Sequence, residues 1–234
     1  MIKPLLIFLF STMICTTAWA QKWQPGRFTD VKGNIESGLI RFGSGKGPIK
    51  GEGFIEFKED NKAEPYKLSA SDLKSFAVGK DSFVVAHAPG NETWAKNEFD
   101  FVKVVLDEDI KLYAAGGVMG KGSRGIGFAP GISTGVGTGG YGSGVGAGIS
   151  IPIGGGGGSS YEKLVYYYGD NTANMKRLTN QNFEDVMSDM MGDYPDVVDK
   201  IHAKVYVLEN IDRLIVYYKQ EKGAESKKQK AESN

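Results

Sequence analysis

Apolar and polar residues alternate along this chain up to Ala114, and only near the C-terminal end does the apolar period lengthen to that of a helix. From Gly26 the alternation predicts hairpins. Arg27 to Val31 and Ile35 to Phe42 read as strands joined at Lys32-Gly33, where Gly33 can take the positive φ such a turn needs. Gly43 to Gly51 is a loop by composition, Phe54 to Phe57 the next strand, and Glu59 to Glu64 a polar connection. Ser69 to Leu73 reads as a short capped turn, with serine and aspartate oxygens accepting free amides before the chain re-extends at Phe76 to Val78. Ser82 to Ala86 is a further strand. Phe99 to Leu106 is apolar on both faces apart from Asp100 and Lys103, which predicts a central, covered strand; Asp107-Glu108-Asp109 turns it and Ile110 to Ala114 returns.

Beyond a glycine-rich stretch the pattern resumes with strands at Leu164 to Tyr168 and Met175 to Leu178, joined through Gly169-Asp170-Asn171. The period then changes. Phe183, Val186, Met187, Met190 and Met191 fall on one helical stripe that Gly192 stops. Pro195 suits the first turn of a second short helix with Val197, Val198 and Ile201 inward, and Leu208, Ile211, Leu214, Ile215 and Tyr218 stripe a third. Past Lys219 the chain is polar and reads as a disordered tail over 220–234.

Gly116 to Gly158 breaks this picture: nearly every second residue is glycine, and no charged side chain occurs from Gly125 through Tyr161. A soluble helix there is excluded, because the glycines between 127 and 148 would each cost about 1 kcal/mol against alanine, of order 10 kcal/mol together. A hairpin turning at Gly139-Gly140 is better ordered. It pairs Val136 with Ser143, Thr134 with Val145, Ile132 with Ala147, Phe128 with Ile151 and Ile126 with Ile153, all on one face, and leaves the other face almost all glycine and serine. The alternation holds through about thirteen residues per arm, roughly 40 Å of strand. A flexible linker is the competing reading, since glycine weakens strands. If the hairpin forms, its apolar face must be covered by the protein's own helices, by a second copy or by lipid. The contact residues expected for a membrane or partner are Ile126, Phe128, Ile132, Val136, Tyr141, Val145, Ile149, Ile151 and Ile153.

Composition changes the picture mainly through compartment. Lys3, the apolar run Leu5 to Phe10 and Ala18-Trp19-Ala20 read as a secretory leader cleaved after Ala20. A lipoprotein reading of Cys15 is disfavoured by Ile14 before it. Cleavage removes the single cysteine, so the mature chain of about 214 residues has no disulfide. With 28 basic against 28 acidic residues, bulk charge gives no reason to expect nucleic acid.

Gly26-Arg-Phe28, Gly33-Asn34-Ile35, Gly38-Leu39-Ile40, Ser71 to Phe76, Phe101 to Leu106 with Leu112-Tyr113, and a helical end with Pro195 and Ile201 resemble a group of uncharacterised exported proteins of Bacteroidota. The resemblance spans most of the mature chain except the glycine run and the tail. It implies an envelope-associated β-rich protein, with no reaction and no functional residues to carry over.

Catalytic patterns are weak. Gly131-Ile-Ser133-Thr-Gly135 spells a nucleophile motif, and Asp185 or Asp199 followed by His202 would come in hydrolase order, but no alternation of strand and helix surrounds it. Gly120 to Gly125 and Gly135 to Gly140 spell G-x-G-x-x-G by composition alone, and Lys121 with Ser123 lacks the first glycine of a phosphate loop. His87 reads as a strand-end residue and Asp107-Glu108-Asp109 as an acidic hairpin tip, not as metal ligands. Asn91-Glu-Thr93 is a glycosylation sequon only in a eukaryote.

The expected fold class is α+β: an antiparallel β-rich domain, as hairpins, small barrel or sandwich, with a glycine-rich hairpin insertion and a short C-terminal helical segment. Its parts are a signal peptide (1–20), a first β-rich part (21–115), the insertion (116–158), closing strands with three short helices (159–219) and the tail. The expected function is non-enzymatic binding or assembly in the envelope, periplasmic, outer-membrane-associated or secreted. It would act through self-association or membrane contact of the glycine-rich segment, with no cofactor, no metal and no nucleic acid. One alternative is a serine hydrolase using Ser133 and His202. The other is a carbohydrate- or peptide-binding module using exposed aromatics such as Trp94 and Tyr167.

Overall fold

The structure, a computed structural model, describes residues 23–43, 45–90, 92, 94, 97–116 and 164–232. Across the described residues the predicted alternation becomes one antiparallel sheet of ten strands: β1 (Gln24–Asp30), β2 (Ile35–Phe42), β3 (Phe54–Lys58), β4 (Tyr66–Ser69), β5 (Leu73–Val78), β6 (Asp81–His87), β7 (Phe99–Leu106), β8 (Lys111–Gly116), β9 (Leu164–Gly169) and β10 (Lys176–Arg177). Their order across the sheet is β10-β9-β8-β7-β6-β5-β1-β2-β3-β4. The fold is thus α+β and β-rich, and a single sheet replaces the two of a sandwich. Strand β4 is an addition to the sequence reading, because a strand as short as Tyr66 to Ser69 carries too few residues to show a period.

Chain connection bends this sheet. β4 lies at its far edge, four strands from β5, yet only the single 3₁₀ turn Ala70–Asp72 joins them. The first five strands must therefore curl around a common interior, as in a small barrel. That interior holds Phe28, Ile40, Phe42, Ile55, Phe57, Leu73, Phe76, Val78, Phe83 and Phe101. Its rings meet mostly edge to face, with centroids 4.9 Å apart for Phe28 and Phe57 and for Phe76 and Phe101, while Phe76 and Phe83 stack at 4.8 Å. The short turn is capped as its sequence suggests: the Asp72 carboxylate accepts the Ser69 N–H at 2.8 Å, and Glu52 accepts that of Ser71 at 2.9 Å.

The curl explains Gly26 and Gly38. Gly26 and Gly38 are cross-strand partners on the inner face. A Cβ on Gly26 would lie 2.5 Å from the Ala77 carbonyl oxygen, and one on Gly38 would lie 2.5 Å from that of Lys58 and 2.7 Å from the Phe57 ring. Aromatic and aliphatic side chains fill the space that side chains here would take. Gly38→Ala is expected to cost about 1–3 kcal/mol through overpacking, whereas Ser37→Ala on the exposed neighbouring position stays within about 0.5 kcal/mol; urea unfolding followed by circular dichroism measures both.

The second half of the sheet is covered on both faces. On the inner face Val105, Leu106, Leu112, Ala114 and Tyr166 meet helices α1 (Phe183–Met190), α2 (Pro195–His202) and α3 (Ile211–Glu232). Phe183, Met187, Val197, Ile201, Ile211, Leu214, Ile215 and Tyr218 are buried there, as the stripes predict, while Val186, Val198 and Leu208 are half-buried. One expectation fails. The third helix is not short and does not give way to a disordered tail at Lys219; it runs to Glu232. Residues past Lys219 are poor in apolar side chains but rich in Glu, Lys, Gln and Ala, which propagate a helix already nucleated by a packed stretch. Lys222 also anchors this extension by binding the Glu108 carboxylate at 2.6 Å. At the sheet edges the strands are short and basic, with Lys67 on β4 and Lys176-Arg177 as β10, which discourages edge-to-edge pairing.

On the outer face of the second half, Val102, Tyr113, Ala115, Tyr167 and Met175 are covered by the connection between β6 and β7. Trp94 is the centre of that cover. Its Nε1–H donates to the Tyr167 hydroxyl at 3.0 Å, and that hydroxyl donates to Glu92 at 2.7 Å.

Candidate binding groove

The nine contact residues expected in the glycine-rich segment, Ile126 to Ile153, lie outside the described residues, as do Ser133, Lys121, Ser123, Asn91 and Thr93. His202, the other half of the hydrolase reading, ends α2 with its Nε2 3.1 Å from the Ser188 hydroxyl oxygen. His87 is at a strand end as expected, its Nδ1 2.7 Å from the Ala88 carbonyl oxygen and its ring edge-on to Phe99. Asp107-Glu108-Asp109 forms the hairpin tip between β7 and β8, where Asp107 pairs with Lys111 and Glu108 with Lys222. Among the described residues no group of three or more His, Cys, Asp and Glu side chains could hold a metal ion.

The aromatic route to sugar or peptide binding requires correction. Trp94 and Tyr167 are 2% and 1% exposed, and they contact each other with ring centroids 5.6 Å apart. Burial pushes the Tyr167 hydroxyl up to about 12, with the neighbouring Glu92 carboxylate adding to it. These rings hold the cover of the sheet and present no face to a ligand. Sequence alternation marks them as strand or loop aromatics but cannot say that one loop folds over both.

What the structure does offer is an open groove of about 1000 Å³ that runs along β1, β5, β6 and β7 on the outer face of the sheet and is closed at one end by Tyr218, Lys219 and Lys222 of α3. Register sets its floor. Arg27, Ala77, Ser82, Val104 and Tyr113 form one cross-strand row, and Ile35, Thr29, Ser75 and Val84 the next. The floor is built of small side chains because the same strands send their phenylalanines inward: Ser75 and Ala77 flank Phe76, and Ser82 and Val84 flank Phe83.

A bulge adds to this surface. Thr29 pairs with Ser75 and Asp30 with Leu73, so Lys74 is an extra residue in β5 and joins the groove lining beside Ser75. Lys80, in the turn to β6, lines the opposite end. Arg27, Lys74 and Lys80 are exposed and make no hydrogen bond or ion pair with a described residue. The carboxylates toward β8, Asp107 and Glu108, are each held by their own lysine, which leaves Asp170 near the far wall. There the Tyr113 hydroxyl is raised from its ordinary value by burial and by the charges of Asp107 and Asp170. The three cations escaped the sequence reading because they lie on different elements; the one local signal is the surplus lysine in Leu73-Lys-Ser-Phe76, which breaks strict alternation.

The buried Asp100 is the other unusual group. Its carboxyl is 4% exposed at the start of β7, with Oδ2 accepting from Asn97 Nδ2 at 2.8 Å and Oδ1 from the Phe101 N–H at 2.8 Å. Gly53 packs so closely that a Cβ there would lie 2.0 Å from Oδ1. Burial pushes this carboxyl up to about 6, against the lowering effect of the two hydrogen bonds. No cation pairs with it among the described residues; it packs against Gly53 in the loop before β3 and accepts from Asn97 in the connection before β7. No family model, no curated protein and no solved structure matches this chain.

Proposed function

We propose that this is an exported, non-enzymatic, envelope-associated protein that acts by binding or assembly through its glycine-rich segment, with the sheet as a rigid base for it. The supporting observation is where that segment is rooted. β8 and β9 are antiparallel neighbours paired from Lys111 with Gly169 to Gly116 with Leu164, so both ends of 117–163 leave from one cross-strand pair. A segment held at two adjacent points of a ten-stranded sheet is poised to continue as a hairpin arm.

The ladder also constrains the proposed arm. Carried on unchanged, its register would set Ile132 opposite Gly148 and Phe128 opposite Pro152, placing a bulky residue beside a bare one on each face. The two-faced hairpin needs Ile132 opposite Ala147 and Phe128 opposite Ile151. The arm we propose therefore contains one register step, a β-bulge, between the Gly116–Leu164 pair and the Ile126–Ile153 pair.

Because Gly116 and Leu164 are partners, residues 117–163 can be replaced by Asn-Gly, closing β8 and β9 as a two-residue hairpin. The shortened chain should melt as the mature protein does. The mature protein should float with phosphatidylethanolamine–phosphatidylglycerol vesicles or sediment as an oligomer, and the shortened chain should do neither. A mature protein that stays monomeric and leaves the vesicles alone overturns the reading.

A further inference from the structure

We propose that the outer-face groove binds a linear acidic polysaccharide, with Arg27, Lys74 and Lys80 holding its acidic groups. The inference does not rest on the glycine-rich segment. Three features carry it.

The first is charge in a line. Ala77 is three residues from Lys74 and three from Lys80, and Arg27 is its cross-strand partner on β1. Lys80 stands in the two-residue turn just past Val78 and Lys74 at the bulge, so the three cations follow one another along the strand direction at less than the ~10 Å that three extended residues span. A compact anion reaches one of them, whereas a linear chain with repeated acidic groups reaches all three. None is committed to a described residue, so binding breaks no ion pair.

The second is the floor. Thr29, Ser75 and Ser82 offer hydroxyls that make no hydrogen bond to a described residue, and each can donate to and accept from a sugar hydroxyl. The third is what the groove lacks. Its floor carries no exposed aromatic ring on which a nucleobase could stack, which disfavours single-stranded nucleic acid. Strands β1, β5 and β6 are paired on both sides, which leaves no edge for a peptide to join as an added strand. A saccharide chain needs neither.

Fluorescein-labelled polygalacturonate, a carboxylated linear polysaccharide, tests this by anisotropy on the mature protein at low and moderate salt. The protein should bind it, release it as salt rises, and ignore neutral dextran. The variant R27Q/K74Q/K80Q should bind at least about tenfold more weakly, while K50Q/K62Q/K228Q, with the same change in net charge outside the groove, should stay within about twofold. The circular dichroism and melting of both are read alongside. If the groove variant melts early, K80Q alone, in an exposed turn, carries the test with an expected weakening of about threefold. The proposal is overturned if polygalacturonate does not bind, if the groove variants retain affinity, or if the control loses as much. It is equally overturned if polyglutamate, single-stranded DNA or anionic vesicles bind as tightly and compete.

Discussion

Trp94→Ala will destabilise the folded chain by about 3–5 kcal/mol, the range for removing a large aromatic from a packed site. The indole lies over the outer face of the second half of the sheet, in one apolar cluster with Ala86, Val102, Tyr113, Ala115, Tyr167 and Met175. Its loss opens a cavity over these strands and removes the donor to the Tyr167 hydroxyl, leaving that group with Glu92 as its partner among the described residues. Trp94→Phe keeps part of the packing but not the N–H, and should cost roughly half as much. Urea unfolding by far-ultraviolet circular dichroism gives the values. Limited proteolysis gives the location: cleavage of Trp94→Ala should begin between β6 and β7, because among the described residues Glu92, which also reaches Arg177 at 3.3 Å, is then the remaining side-chain hydrogen-bonding tie from that connection to β9 and β10. A loss under 1 kcal/mol would show that the connection does not contribute to the core.

The second large effect is a pH dependence from Asp100. In the folded chain its carboxyl titrates at about 6, against an ordinary value of 3.8, and burial is the main cause. A shift of that size corresponds to about 3 kcal/mol. Its sign is opposite to that of most carboxylates. Between about pH 4 and pH 6 the folded chain holds a proton that the unfolded chain has lost, so the Asp100 contribution to stability falls as pH rises through that window. Below it the side chain is neutral in both states and imposes no penalty; above it the penalty is complete. Asp100→Asn should therefore be more stable than the parent at pH 8, by about 1–3 kcal/mol once the altered bond to Asn97 is counted, and about equal to it at pH 4. Unfolding midpoints of the two chains across pH 4 to 8 decide this. Parallel curves would mean that the ionised carboxylate is stabilised where it sits.

How legible the fold was depends on the range of the interaction concerned. The Met-rich stripe from Phe183 to Met191, the Pro195 helix and the covered strand Phe99 to Leu106 were readable because each is a local period set by one buried face. Strand β4 was not, because its four residues are held by pairing with β3 and its connection to β5. The helical extension after Lys219 was misread because low apolar content was taken for disorder, whereas its first turns are tied down by Val105 and Glu108, far away in the chain. Trp94 and Tyr167 were misread in the same way: an aromatic residue looks alike in sequence whether it faces water or another strand.

The candidate site was less legible than the fold. Alternation says that Ser75, Ala77, Ser82 and Val84 share a face, but not that Arg27 stands in register with Ala77 or that a bulge brings Lys74 to the same surface. The residues picked out from sequence alone, in the glycine-rich segment, rest on their own pairing argument and on the rooting of that segment at Gly116 and Leu164.

By itself the sequence determined most of the strands and helices, which face of each is apolar, and that an uncharged, glycine-rich stretch interrupts them. Those properties are periodic and local, and hydrophobic burial enforces them wherever the segment ends up. Only the tertiary structure decided that the ten strands of the described residues make one sheet, that β4 returns to β5 and closes an aromatic interior, that Trp94 covers the other half, and that three cations without a partner among the described residues line one groove. Strand order and register are set by contacts between residues distant in the chain, which no local pattern encodes.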